Sequence, residues 1–155
     1  MINIVTRIFV KKKTSEQIYS WLLNLDHEKY IQWHPTAHKD YRRVYINKNI
    51  TGSIFYFDEY IGKLHINYEW SITRIKQNKF IITKAKSFYP IYLIISFEDM
   101  FGGTEVTHDL RIGFKFLGFE KIIDLFANSF LLTSRERQAI NQHAKEEFTN
   151  LEHLL

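Results

Sequence analysis

Residues 53–75, SIFYFDEYIGKLHINYEWSITRI, contain two runs of β-branched and aromatic residues that are separated by Gly62. Residues of these types favour strands, and a glycine between two short runs is typical of a tight turn. The stretch therefore predicts a β-hairpin made of strands 53–60 and 64–75.

The same pattern continues on both sides of this hairpin. Further strand-like runs are separated by short segments that contain turn residues, such as Asn47-Lys48-Asn49, Gln77-Asn78 and Gly102-Gly103. Connections this short join antiparallel neighbours, so the runs predict a meander. With the hairpin included, the six predicted strands are 41–46, 53–60, 64–75, 80–87, 91–97 and 105–114.

Helical signals lie at the two ends of the chain, after one further strand at 3–10. Thr14-Ser15-Glu16-Gln17 offers an N-cap for a first helix that ends near residue 24. A second short helix over 26–32 ends before Pro35, because proline disfavours helical geometry in the preceding residue. A helical period then runs from residue 120 to the end of the chain, with a break around Thr133-Ser134, where Ser134 can begin a new helix.

The order of elements is strand, two short helices, six strands and one long helix. This order excludes a doubly wound fold, which needs a helix between successive strands. It resembles the helix-grip fold of the START and Bet v 1-like proteins. The resemblance implies one α+β domain over residues 1–155, with a seven-stranded curved antiparallel sheet around the long C-terminal helix and a cavity between them.

Composition limits the kind of site and partner. Cysteine is absent, so any metal must be held by His, Asp or Glu. The net charge of +4 is spread along the chain apart from Lys11-Lys12-Lys13, so we expect no nucleic-acid partner. The sequence shows neither a signal peptide nor an apolar run of about 18 residues, so we expect a cytoplasmic protein without a membrane partner.

Two polar residues fall on the apolar face of the last helix. At about 100° per residue, Ile140, His143, Glu147, Leu151 and Leu154 share an arc of roughly 80°. His143 and Glu147 are one turn apart, so their side chains can converge. A buried carboxylate needs compensation, from the His143 imidazolium, a distant basic side chain or a divalent cation. The pattern leaves open a hydrogen bond in a pocket wall or a metal site.

Two other segments carry candidate ligands. Trp33-His34-Pro35-Thr36-Ala37-His38 places two histidines beside a rigid proline, where helix gives way to sheet. Phe57-Asp58-Glu59-Tyr60-Ile61-Gly62 places two acidic residues at the end of an apolar strand. Successive strand residues point to opposite faces, so one of the two carboxylates points inward and the other outward.

His34 before Pro35, Glu59 in Asp-Glu-Tyr-Ile-Gly and the His143-x-x-x-Glu147 helix together resemble the diacetylphloroglucinol hydrolase-like family. The members of this family are zinc-dependent hydrolases built on a helix-grip domain. The resemblance implies that His34, Glu59, His143 and Glu147 bind zinc, although such donors also suit iron or manganese. It further implies that a metal-activated water cleaves the carbon–carbon bond between an acyl group and a phenolic ring. The expected substrate is a small acylated phenol or a related ketone.

Several other residues are candidates for the cavity. His108 lies in the apolar parity of its strand, and we assign it a catalytic role, although a core histidine bonded to a backbone carbonyl fits the same pattern. We also assign His38 a catalytic role, such as proton transfer; it could instead replace His34 as a ligand or lie exposed. Residues expected to bind substrate, if they do not simply pack in the core, are Tyr56, Tyr68 and Trp70.

Two other functions remain open. In the first, the chain is a non-catalytic carrier or sensor, and His143 and Glu147 orient the polar end of a ligand without a metal. In the second, it is an interaction subunit such as a chaperone partner, although no dedicated exposed motif supports this. The expected partner is a small hydrophobic or phenolic molecule, and a homodimer is compatible with the sequence.

Overall fold

The computed structural model of the protein describes residues 1–113 and 132–155. Within them, seven strands form one antiparallel sheet in the order β1-β7-β6-β5-β4-β3-β2. The strands are β1 (Ile2–Lys11), β2 (His38–Tyr45), β3 (Ile54–Ile61), β4 (Leu64–Lys76), β5 (Phe80–Ala85), β6 (Ile91–Met100) and β7 (Gly103–Ile112). The helices are α1 (Ser15–Leu23), α2 (His27–Trp33) and α3 (Ser134–Leu154).

The predicted order of elements is confirmed across the described residues. Strands β2 to β6 each pair with the next strand along the chain, whereas β1 pairs with β7. Two parts of the prediction, Phe114 at the end of the last strand and the helical segment 120–131, lie outside the described residues.

Strict alternation in β1 places every second side chain in the interior. Ile4, Ile8 and Val10 are buried, whereas the residues between them are exposed. Val10 belongs to the same core cluster as Phe148 of α3, and both are fully buried. At its end β1 meets solvent, where Lys12 adopts a left-handed conformation and its N–H donates to the Gly102 carbonyl (2.7 Å).

The first helix begins at the predicted N-cap. The Thr14 hydroxyl accepts from the Gln17 N–H (3.2 Å), and the Gln17 side chain accepts from the Thr14 N–H (2.9 Å). We expect Thr14→Ala to lower the free energy of unfolding by about 1 kcal/mol, since it leaves a helix N–H without its acceptor. Urea denaturation measures this, with the exposed Ser20→Ala as the control. Equal stability of both variants would contradict the prediction.

The end of α2 is tied to the middle of α3, and this contact positions the site described below. The Trp33 indole N–H donates to the Glu147 carbonyl oxygen (2.7 Å), and the Asn150 side-chain amide donates to the Trp33 carbonyl (2.9 Å). The Trp33 ring also meets Phe148 edge-on at 5.7 Å between ring centroids. These contacts hold the inward face of α3 against the chain that leads into β2.

None of α1, α2 and α3 combines the length and the apolar character that a helix needs to cross a lipid bilayer.

Candidate metal centre

Four side chains from three elements meet between the sheet and α3. His38, the first residue of β2, lies directly opposite Glu59 of β3, so the two side chains are neighbours on one face of the sheet. His143 and Glu147, one turn apart on α3, approach them from the other side. One potential ligand atom from each of the four lies within 4.8 Å of the other three. We call these four residues the His/Glu cluster.

Each imidazole of the cluster faces both carboxylates. His38 Nε2 lies 2.9 Å from Glu147 Oε1 and 3.4 Å from Glu59 Oε2. His143 Nε2 lies 3.1 Å from Glu59 Oε2 and 3.4 Å from Glu147 Oε1. The two ring nitrogens and two carboxylate oxygens therefore surround a common point.

The orientation of His38 is set by its second ring nitrogen. Nδ1 lies 2.7 Å from the Tyr30 carbonyl oxygen, which can only accept, so Nδ1 carries the proton. The Tyr30 ring also stacks on His38, with 3.9 Å between ring centroids. Metal-binding histidines commonly hold one nitrogen on a carbonyl in this way and present the other to the ion. The orientation of His38 is the same as that of such a histidine.

Charges in the cluster balance without an ion. Burial acts to lower the pKa of His38 and His143, but the two carboxylates outweigh it and raise the pKa to about 9 for His38 and about 10 for His143. Burial acts to raise the pKa of Glu59 and Glu147, but the imidazoles outweigh it and lower both. Two carboxylates face two imidazolium protons, and one divalent cation carries the same charge as those two protons. The donor set therefore fits such an ion.

His34 lies outside the cluster. Its Nε2 donates to Glu146 Oε2 (2.9 Å), and its Nδ1 accepts from the Thr36 hydroxyl (3.3 Å). Its ring stacks on His143, with 4.8 Å between ring centroids. Both nitrogens of His34 have other partners. The structure brings Glu59, His143 and Glu147 together with His38, whereas His34 lies beside this group.

An apolar cavity of about 160 Å³ adjoins the cluster, between the sheet and α3. Glu59, His143 and Glu147 form part of its wall. The rest of the wall is mainly aliphatic and aromatic, with residues such as Phe55, Trp70, Ile95 and Phe148. A molecule in this cavity therefore meets the cluster on one side and apolar groups on the others.

Two polar atoms in the cavity wall, Tyr30 Oη and His108 Nδ1, are buried without a hydrogen-bond partner among the described residues. Burial lowers the pKa of His108, so its ring is neutral at pH 7. Burial, the charges of Glu59 and Glu147 and the nearby Glu59 side chain raise the pKa of Tyr30, so its hydroxyl keeps its proton. Both groups can therefore bind a polar atom of a ligand. Tyr30 was absent from the sequence prediction, although it shares the buried face of α2 with Trp33.

The three residues expected to bind substrate lie in different places. Trp70 lines the cavity and is 8% exposed. Tyr56 has the opposite strand parity from the cavity-lining Phe57, so it lies on the outer face, with the Arg42 guanidinium 4.2 Å from its ring centroid. Tyr68 is 36% exposed and is not among the described residues of the cavity wall.

Comparisons with known proteins show similarity in structure alone. No family model and no curated protein matches the chain by sequence. A START superfamily protein from Mycobacterium smegmatis is 15% identical with a TM-score of 0.65, over 99% of this chain and 94% of that one. Major latex-like protein 151 from Panax ginseng is 8% identical with a TM-score of 0.71, over 99% of this chain and 96% of that one.

A third similar structure is the Aha1 dimer from Colwellia psychrerythraea, which is 18% identical with a TM-score of 0.51. The match covers 92% of this chain and 99% of that one. Identities this low establish the fold and no activity. With its curved seven-stranded sheet, its two short helices and its long C-terminal helix, the chain has the predicted helix-grip fold of the START and Bet v 1-like proteins.

Proposed function

We propose that the protein is a metal-dependent hydrolase that removes the acyl group of a small acylated phenol or related ketone, with zinc as the ion. One observation carries the proposal: His38, His143, Glu59 and Glu147 meet beside an apolar cavity. The hydrogen bond from His38 Nδ1 to the Tyr30 carbonyl turns Nε2 of the same ring toward the other three side chains. The resemblance of the sequence to the diacetylphloroglucinol hydrolase-like family supports it.

The four cluster residues would hold the ion. Two imidazole nitrogens and two carboxylate oxygens form a donor set that suits zinc, and also iron or manganese. A zinc ion in such a site polarises a carbonyl oxygen and lowers the pKa of a bound water toward ~7.

The remaining polar groups of the cavity would act on the organic substrate. Tyr30 Oη would donate a hydrogen bond to a phenol or carbonyl oxygen. In the hydrolysis, the acyl carbon takes a hydroxyl group from water, and the ring carbon takes a proton as the carbon–carbon bond breaks. His108, neutral and facing the cavity, would carry that proton to the ring carbon.

The size of the cavity limits the substrate. Its volume of about 160 Å³ is close to that of an engineered cavity of about 150 Å³ that binds benzene. A single substituted ring therefore matches the space, and Tyr30 and His108 provide for its oxygen substituents.

The test combines metal analysis with an activity assay. The protein is incubated with zinc, desalted and analysed for bound metal, and it is then assayed for release of acetate from a monoacetylated polyhydroxybenzene. We expect one zinc per chain and release of the acid, with both lost in His143→Ala and Glu147→Ala. His27→Ala, which removes an exposed histidine paired with Asp40, should keep both. Absence of zinc from the wild-type protein would refute the proposal.

A second candidate function is a non-catalytic carrier of a small hydrophobic molecule. It is favoured by the balance of charge in the His/Glu cluster, which needs no ion, and by the apolar cavity wall. A carrier would bind a ring-sized fluorescent probe with the same affinity before and after incubation with zinc, and it would release no acid.

A further inference from the structure

A groove of about 340 Å³ lies on the surface beside the His/Glu cluster. His143 lines both the groove and the apolar cavity, whereas Glu59 and Glu147 line the cavity and are not part of the groove wall. His34 lines the groove and is not part of the cavity wall. The polar side chains of the groove wall other than His143 are His34, Thr36, Tyr60, Gln142 and Glu146.

The His34 ring lies against both imidazoles of the cluster. Its centroid is 4.8 Å from that of His143, with the rings nearly parallel, and 5.6 Å from that of His38. The side chain of His34 is 11% exposed, although it borders the groove. It therefore packs beside the two imidazoles at the edge of the groove, which His143 also lines.

Two polar neighbours fix this ring, and a third holds one of them. Glu146 Oε2 accepts from His34 Nε2, and the Thr36 hydroxyl donates to Nδ1. Glu146 is held in turn by Gln142, whose side-chain amide donates to Oε1 (2.8 Å). With both nitrogens engaged, His34 acts on the cluster through the face of its ring.

We propose that His34 is a positioning residue, which holds the imidazoles of His143 and His38 in place without contributing a ligand. This inference rests on the proposed function, since it concerns the same ion. Groups that orient metal ligands commonly change metal affinity by about 10- to 100-fold when they are removed.

The first test is the rate at which zinc-loaded protein loses its ion to an excess of chelator, followed by stopped-flow absorbance. We expect zinc loss from His34→Ala to be faster by about 10- to 100-fold, while one ion per chain still binds. His34→Phe keeps a ring against His143 but loses the bonds to Glu146 and Thr36, so its rate should be intermediate. His27→Ala should match the wild type, because His27 is exposed and paired with Asp40.

A variant at the surface keeps the test valid if His34→Ala folds poorly. Glu146 is 45% exposed, and Glu146→Ala removes the acceptor that orients His34 without touching the cluster. We expect the same direction of change, with a smaller size. Wild-type rates in Glu146→Ala and in every folded His34 variant would overturn the inference.

The second test separates a positioning residue from a ligand. In cobalt-loaded protein, we expect the visible bands of His34→Ala to keep the wild-type positions and those of His38→Ala to shift. A shift in His34→Ala as large as that in His38→Ala would make His34 a ligand and overturn the inference. A wild-type chain that binds neither zinc nor cobalt would refute the proposed function and this inference together. Unchanged exchange rates in a chain that binds zinc would refute this inference alone.

Discussion

Replacing Glu147 by alanine in the metal-free protein is expected to lower the free energy of unfolding by about 3–5 kcal/mol at pH 7. The change leaves the imidazoles of His38 and His143 to share the single carboxylate of Glu59. Both imidazoles are buried, because His38 is 1% exposed and His143 is 7% exposed. Removing one partner from a buried set of charges costs more than removing an exposed one, because the remaining charge stays out of water. Urea denaturation in the presence of a chelator measures the change.

A matched control lies on the same helix. Glu152 accepts a hydrogen bond from the Lys11 N–H (3.0 Å) in an exposed position, so Glu152→Ala should cost at most about 1 kcal/mol. The double variant His38→Ala/Glu147→Ala should cost less than the sum of the two single changes, by about 0.5–3 kcal/mol. Strictly additive costs would show that the two side chains do not stabilise one another.

Zinc affinity is expected to rise by about 100-fold per pH unit between pH 6 and pH 8, because each ion bound displaces about two protons. The pKa is raised to about 9 in His38 and to about 10 in His143, so both rings are protonated in the metal-free protein across this range. Each must lose a proton from Nε2 to bind zinc. The lowered pKa of Glu59 and Glu147 keeps both carboxylates ionised, so they release none.

Zinc affinity rises with pH for as long as protons compete with the ion for the two imidazoles. Protons compete with the ion below pH 9, the competition falls to one proton between about pH 9 and 10, and it ends above about pH 10. Titration against a chelating indicator at pH 6, 7 and 8 measures the slope, and calorimetry in two buffers of different ionisation enthalpy counts the protons. A slope near zero would mean that no imidazole releases a proton when the ion binds. Each ring would then be either uncharged in the metal-free protein or not a ligand.

Much of the sheet could be predicted, because its signals are local. The hairpin predicted as strands 53–60 and 64–75 is observed as Ile54–Ile61 and Leu64–Lys76. The residue types favour strands, and Gly62 turns the chain at a φ of 61°. A side chain there would also be tight, since an added Cβ would lie 3.1 Å from Ala139 Cβ.

The start of β2 could not be predicted in the same way. The position of His38 beside Glu59 depends on where this strand begins. The strand was expected to begin at residue 41 but begins at His38, whose two following residues, Lys39 and Asp40, are polar. A register shift between His38 and Asp40 also breaks the alternation that a regular strand would show. The pairing of His38 with Glu59 is therefore a property of the folded sheet.

The inward face of α3 could be predicted because it is a helical stripe. His143 and Glu147 are buried with Ile140 and Leu151, as the helical wheel indicates. Leu154, which the wheel also placed on this face, is 37% exposed at the end of the helix. Strand alternation alone could not decide whether Asp58 or Glu59 points inward. The resemblance to the hydrolase family favoured Glu59, which does lie on the same face as Phe57. The contacts of His34 with Glu146 and Thr36 depend on how α2 and α3 pack, and no local sequence pattern indicates that packing.

Internal charge balance in the cluster has a consequence for how the protein is made in the cell. Small zinc domains unfold without their ion, so their synthesis depends on metal supply. Here His38 and His143 already neutralise Glu59 and Glu147, so the charges of the cluster need no ion for the polypeptide to fold. If the cluster holds zinc as proposed, intact but empty molecules would accumulate during zinc starvation, and a later influx of the ion would load them without new translation.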